Sequence, residues 1–116
     1  MNFISIAIGG ALGAVLRYFI GKHISFQEFP VATLFINTIG SLFLGYLFAK
    51  YAVSHPKLFL FFGIGFCGAF TTFSTFSLET YKLLIDAQYA DAAFYILATL
   101  VLGIFATVLG VYLGKL

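Results

Sequence analysis

Charge is what this chain has least of. Among its 116 residues, six lysines and arginines and four acidic residues amount to 9%, against about 25% in a typical soluble domain. Hydrophobic residues make up 62% and the mean hydropathy is +1.09. That balance excludes an ordinary soluble domain and predicts an integral membrane protein. The basic residues are scattered, so no nucleic acid is expected as a partner. Cys67 is the only cysteine, which excludes an intrachain disulfide and a cysteine-rich metal site. The two histidines, His23 and His55, fall in loops without a second ligand at metal-binding spacing and read as solvated surface residues. With no nucleophile–base pair and no metal constellation, the pattern is not that of an enzyme. The opening Met1-Asn2-Phe3 lacks the positive n-region of a secretory signal, so the first apolar run is expected to be retained.

What is present is four long apolar runs, about 3–21, 31–52, 58–85 and 92–114, each near or above the roughly 20 residues that a membrane span needs. The expected fold class is therefore all-α, a polytopic membrane protein of four transmembrane helices in a single domain over residues 1–116. A bundle this thin encloses a pathway poorly, so oligomerisation is expected, with a pore between subunits. The third run would extend ~42 Å as one helix, beyond the ~30 Å hydrocarbon core. It must be tilted, protruding or broken, and the closely spaced Gly63, Gly65 and Gly68 favour a broken third helix. Within a membrane, non-helical backbone survives only where protein or a water-filled cavity satisfies it, and such places commonly hold ions.

Just beyond those glycines lies the most unusual stretch, Gly68 to Glu79. It interleaves Thr71, Thr72, Ser74, Thr75 and Ser77 with Phe70, Phe73 and Phe76. Helical spacing predicts one aromatic stripe with hydroxyls between. Phenylalanine edges carry positive partial charge, so the run reads as an ion site; a plain core or lipid-facing aromatic stripe is the alternative. Glu79 is the only acidic residue inside a span.

Elsewhere, hydroxyl and amide residues repeat every four positions. The second run carries Thr33, Asn37, Ser41 and Gly45, and the fourth carries Tyr95, Thr99, Gly103 and Thr107. Each series shares a helix face, as a polar path or as interhelical hydrogen-bond glue. Gly9 and Gly13 form a small-xxx-small pair for close packing. Arg17 continues their face and reads as a vestibule or structural residue, with snorkelling to the interface as the alternative. Gly110 and Gly114 read as packing positions. Lys50, Lys57 and Lys115 fall on one side and Arg17, Lys22 and Lys82 on the other, so no positive-inside bias exists. Both insertions are then open, and two identical chains can pair antiparallel.

The Gly9-Gly10-Ala11-Leu12-Gly13-Ala14…Arg17-Tyr18 opening, the Asn37-Thr38-Ile39-Gly40-Ser41 run and above all Gly68 to Ser77 with Glu79 resemble the Fluc (CrcB-type) fluoride channels. The resemblance covers essentially the whole chain. It implies a passive, fluoride-selective channel that exports fluoride from the cytoplasm and lowers its toxicity, in the inner membrane of a bacterium. It implies an antiparallel, dual-topology dimer with two pores lined by both subunits and a structural sodium ion on the two-fold axis. Carried over by residue, Phe73 and Phe76 would line the pores with Ser74 and Thr75 beside them, and Asn37 and Thr33 would face the ion path. Tyr95 and Thr99 would continue the polar track, though serine is common in the family where this chain has Thr99 and Gly103. The main-chain carbonyls of Gly68 and Thr71 would hold the sodium. Expected partners are fluoride, membrane lipid and a second identical chain, with a related subunit as the other option. The rival reading is a small proton-coupled exporter of cationic drugs, which needs a membrane-embedded carboxylate; the first span has none. A non-transporting assembly subunit is the third.

Overall fold

The computed structural model describes residues 2–24 and 29–116; Glu28, which the sequence places in the first loop, lies outside them. Every regular element among the described residues is helical. The chain begins with α1 (Asn2–His23) and α2 (Val31–Tyr51). A composite third segment follows. It opens as α3 (Pro56–Phe59), with Pro56 in the first turn where its missing N–H costs nothing. It widens into a π-helical stretch over Leu60–Cys67, tightens to α4 (Gly68–Phe70), and runs through Thr71 and Thr72 with extended backbone before resuming as α5 (Phe73–Ile85). The last helix, α6, spans Tyr89–Lys115. Four segments, with Pro56–Ile85 taken as one, are long and apolar enough to cross a membrane. The protein is thus a multi-pass membrane protein built from α-helices.

Two parallel pairings organise the bundle. α1 lies along the third segment, where a Cβ on Gly13 would run into the Phe66 carbonyl oxygen. Only glycine lets the two backbones approach so closely. α2 lies along α6 in the same way, Gly110 resting on the Leu42 carbonyl and Gly45 on that of Thr107. These registers put Lys50, Lys57 and Lys115 at one end of the bundle and Arg17, Lys22 and Lys82 at the other.

The turn from α5 to α6 is a Schellman motif: Gln88 N–H donates to the Leu83 carbonyl at 2.9 Å and Ala87 N–H to that of Leu84 at 3.1 Å. Ala87 takes the left-handed conformation there, at φ 59°. Beside this turn sits a hydrophobic cluster, where buried Leu83, Ala92 and Tyr95 meet Phe29, Leu34 and Phe76. Apolar side chains of α6 such as Leu97, Val101, Ile104 and Val108 are exposed, as suits a surface that lipid covers.

The aromatic stripe expected from Phe70, Phe73 and Phe76 is not formed. Phe70 belongs to α4, is buried, and stacks on Phe66 with centroids 5.7 Å apart. Two extended residues separate it from Phe73, and an extended backbone does not keep the helical three-residue spacing on one face.

Candidate functional site

The site is built outward from Thr72. Its backbone lies at φ −151°, ψ 122°, so its N–H has no helical partner, while its C=O, as that of the N-cap residue, accepts the first bond of α5. Asn37, on α2, engages both groups: Nδ2 donates to the Thr72 carbonyl at 3.0 Å and Oδ1 accepts the otherwise unpaired Thr72 N–H at 2.8 Å. The threonine side chain then starts α5 as its N-cap, Oγ1 accepting the Thr75 N–H at 3.2 Å. The same hydroxyl donates to Thr75 Oγ1 at 3.2 Å and lies 3.3 Å from Ser74 Oγ. Thr71, by contrast, folds back: its N–H and its hydroxyl both donate to the Cys67 carbonyl, at 3.0 and 2.9 Å.

Arg17 reaches the same region from α1, its Nε–H donating to the Ala69 carbonyl at 3.0 Å. In an unbroken helix that carbonyl would accept from Phe73; the extended pair removes that donor and the guanidinium replaces it.

Two grooves flank Thr72. One, of about 260 Å³, is lined by Asn37, Ser41, Thr71, Thr72, Phe73, Phe76 and Thr99 among others. Here Phe73 is 78% exposed, with its ring 5.7 Å from that of Phe76. Phe76 is partly buried and leans on Tyr95 at 5.1 Å. The Thr99 hydroxyl oxygen is buried without a hydrogen-bond partner among the described residues. The second groove, about 370 Å³, brings together Arg17, Lys22, Thr33, Thr72, Thr75 and Glu79. Its two cations and threonine hydroxyls suit an anion, and among the described residues Glu79 is its one carboxylate.

The expected residues are thus gathered unevenly. Phe73, Phe76, Asn37, Thr71 and Thr99 share one groove and Arg17, Thr33 and Thr75 the other. Ser74 is exposed beside Thr72, and Gly68 stands at the start of α4. Tyr95 is fully buried in the core beside the α5–α6 turn. Its hydroxyl donates to Glu79 Oε1 at 2.9 Å, a partnership across 16 positions that no periodicity announces. The two polar stripes face each other in register. Toward the far end they serve packing: Thr107 Oγ1 donates to its own helix at Gly103 O, 3.0 Å away, and Gly45 abuts the Thr107 backbone. Thr72 as the organising residue is legible in part, since a threonine directly before an apolar-periodic run marks a helix start, although Thr75 stands where a capping box would place Glu or Gln.

A four-span helical membrane protein with amide, hydroxyl and phenylalanine groups gathered at an extended interruption is of the class that handles small ions within the bilayer. The family described as CrcB-like protein, Camphor Resistance (CrcB), matches residues 4–111, and the chain belongs to it. A relative from Thermosipho melanesiensis, named a fluoride-specific ion channel FluC, is 44% identical over 123 aligned residues that cover 99% of this chain and 97% of its own. One from Thermococcus kodakarensis with the same name is 44% identical, covering 96% and 94%. A Bacillus subtilis protein named fluoride-specific ion channel FluC 2 is 45% identical, covering 96% and 86%.

Proposed function

We propose that this chain is a passive, fluoride-selective channel of the cell membrane that lets fluoride leave the cytoplasm. The observation that carries this reading is the groove in which the Phe73 and Phe76 rings stand beside Asn37 and the unpartnered Thr99 hydroxyl. Ring edges and neutral N–H and O–H donors replace the water around a small anion without trapping it as a fixed cation would. The names of the relatives point the same way.

The groove is open on one side, and Phe73 is largely exposed on a single chain. Closure by a second, antiparallel copy would make two pores, each lined by both subunits, and the equal numbers of basic residues at the two ends of the bundle support insertion in both directions. In this reading the third helix is broken at Thr71–Thr72, and the Gly68 and Thr71 carbonyls of both copies hold a structural sodium ion. The residues fit such a cation: among the described residues no donor reaches either carbonyl, and oxygen ligands suit a hard ion. The Ala69 carbonyl, taken by Arg17, is not available for it. When bound, sodium would neutralise the oxygen dipoles that the dimer crowds together.

The test is fluoride efflux from liposomes containing only this purified chain. Rapid efflux without a proton gradient supports the channel. No efflux would point to a required second subunit, and efflux that depends on a proton gradient would point to a carrier.

A further inference from the structure

We propose that Arg17 and Asn37 are positioning residues that lock the extended Thr71–Thr72 pair from two sides and thereby set where α5 begins and where Phe73 and Phe76 stand. The inference deepens the channel reading and rests on it for its functional meaning, but its geometry stands alone.

An extended residue inside a membrane interrupts the helical ladder and leaves backbone groups that water cannot satisfy; at Thr72 the orphaned group is the N–H, because the N-cap carbonyl already accepts the first bond of α5. The side chain of asparagine is a planar amide like the peptide group itself, with a carbonyl oxygen and an N–H on one short stem. Asn37 uses it as a strand neighbour would, meeting both Thr72 groups at once, at 3.0 and 2.8 Å. Aspartate at this position would keep the acceptor and lose the donor, and leucine would lose both. Nδ2 retains a second N–H that the clamp does not use, so holding the backbone and solvating an anion are compatible roles. On the other side of the pair, Arg17 Nε satisfies the Ala69 carbonyl at 3.0 Å. Arginine fits because Nε–H can be spent on the backbone while the terminal NH₂ groups carry the charge into the groove shared with Lys22. Between these two anchors, Thr72 caps α5 through Thr75. The three contacts form one chain of support from α1 and α2 to the first turn of α5, which carries Phe73 and Phe76.

The test uses hydrogen–deuterium exchange on the full chain in lipid nanodiscs, comparing the Thr71–Thr75 amides with the α6 amides around Val101. Asn37→Leu and Arg17→Leu should each speed exchange at 71–75 by about tenfold or more, as expected when a buried hydrogen bond is lost, with α6 unchanged. Asn37→Asp keeps the Thr72 N–H bond and should fall between Asn37→Leu and the native protein, which keeps the argument open to refutation where Asn37→Leu does not fold. Arg17→Gln retains an amide donor without the charge and should restore much of the protection lost in Arg17→Leu, a rescue that loss of vestibule charge does not explain. A para-fluorophenylalanine at Phe76 gives the matching signature by fluorine NMR: one line in the native chain, shifted or split in Asn37→Asp. Native exchange at 71–75 in Asn37→Asp and Arg17→Leu would overturn the proposal. Because this readout needs no ion flux, it stands or falls separately from the channel reading.

Discussion

The Tyr95 hydroxyl donates its proton to Glu79 Oε1 at 2.9 Å, tying α6 to α5 beside the turn that joins them. The one donor proton of this tyrosine is committed to a carboxylate in the protein, so Tyr95 in this arrangement supports the site by fixing Glu79. Phe76 packs on the same ring, so the pair also backs the groove wall.

Tyr95→Phe keeps the ring and its packing but removes that donor. It should lower the unfolding free energy by about 1–3 kcal/mol, read as a lower melting temperature in detergent. Glu79→Gln retains an oxygen acceptor for the tyrosine. Fluoride efflux in this variant should persist and remain independent of a proton gradient; complete loss together with a proton requirement in the native chain would favour the carrier.

Phe73→Ile and Phe76→Ile should each slow efflux, and a loss of ring-edge stabilisation on the order of 1.4 kcal/mol corresponds to about tenfold in rate. Phe73 is largely exposed on a single chain, so its change should leave the helical fold intact. Phe43→Ile and Phe48→Ile, away from the groove, should be nearly silent. Equal efflux per unit of folded protein in native, Phe73→Ile and Phe76→Ile chains would return both rings to a packing role.

In the proposed dimer, removing sodium with no substituting cation present should reduce efflux or resistance to dissociation, because the carbonyl oxygens that this arrangement crowds together would then lack a counter-charge. Full activity and unchanged dimerisation under those conditions would discard the sodium site.

Orientation is accessible by cysteine labelling, since the native Cys67 is buried and should stay silent. Val53→Cys and Asp86→Cys place thiols at opposite ends of the bundle. A membrane-impermeant reagent applied to one side of sealed vesicles should label about half of each, as expected without positive-inside bias; labelling of only one variant would mean a single orientation.

Ala87 adopts left-handed backbone at the C-terminal cap of α5, where a side chain costs about 1–2 kcal/mol. Ala87→Gly relieves that strain at some cost in unfolded-chain entropy. A net gain of roughly 0.5–1 kcal/mol should appear as a higher melting temperature, with efflux unchanged.

The amino-acid sequence by itself determined the membrane environment and the helical class, because apolar runs of span length separated by short polar loops leave few other solutions. It also marked the hydroxyl and phenylalanine run as unlike a plain span, and the four-residue polar repeats as helix faces. Tertiary structure decided what those faces meet. Periodicity says which residues share a side of one helix but not which helix lies opposite, so the convergence of Arg17 and Asn37 on the Ala69–Thr72 backbone, and of Tyr95 on Glu79, could only be seen once the helices were assembled. It also removed Phe70 from the company of Phe73 and Phe76. Two extended residues rotate everything after them out of the helical register, and the physical reason for that interruption lies in other helices: an amide on α2 and a guanidinium on α1 offer the backbone at this point the partners its own helix gives up.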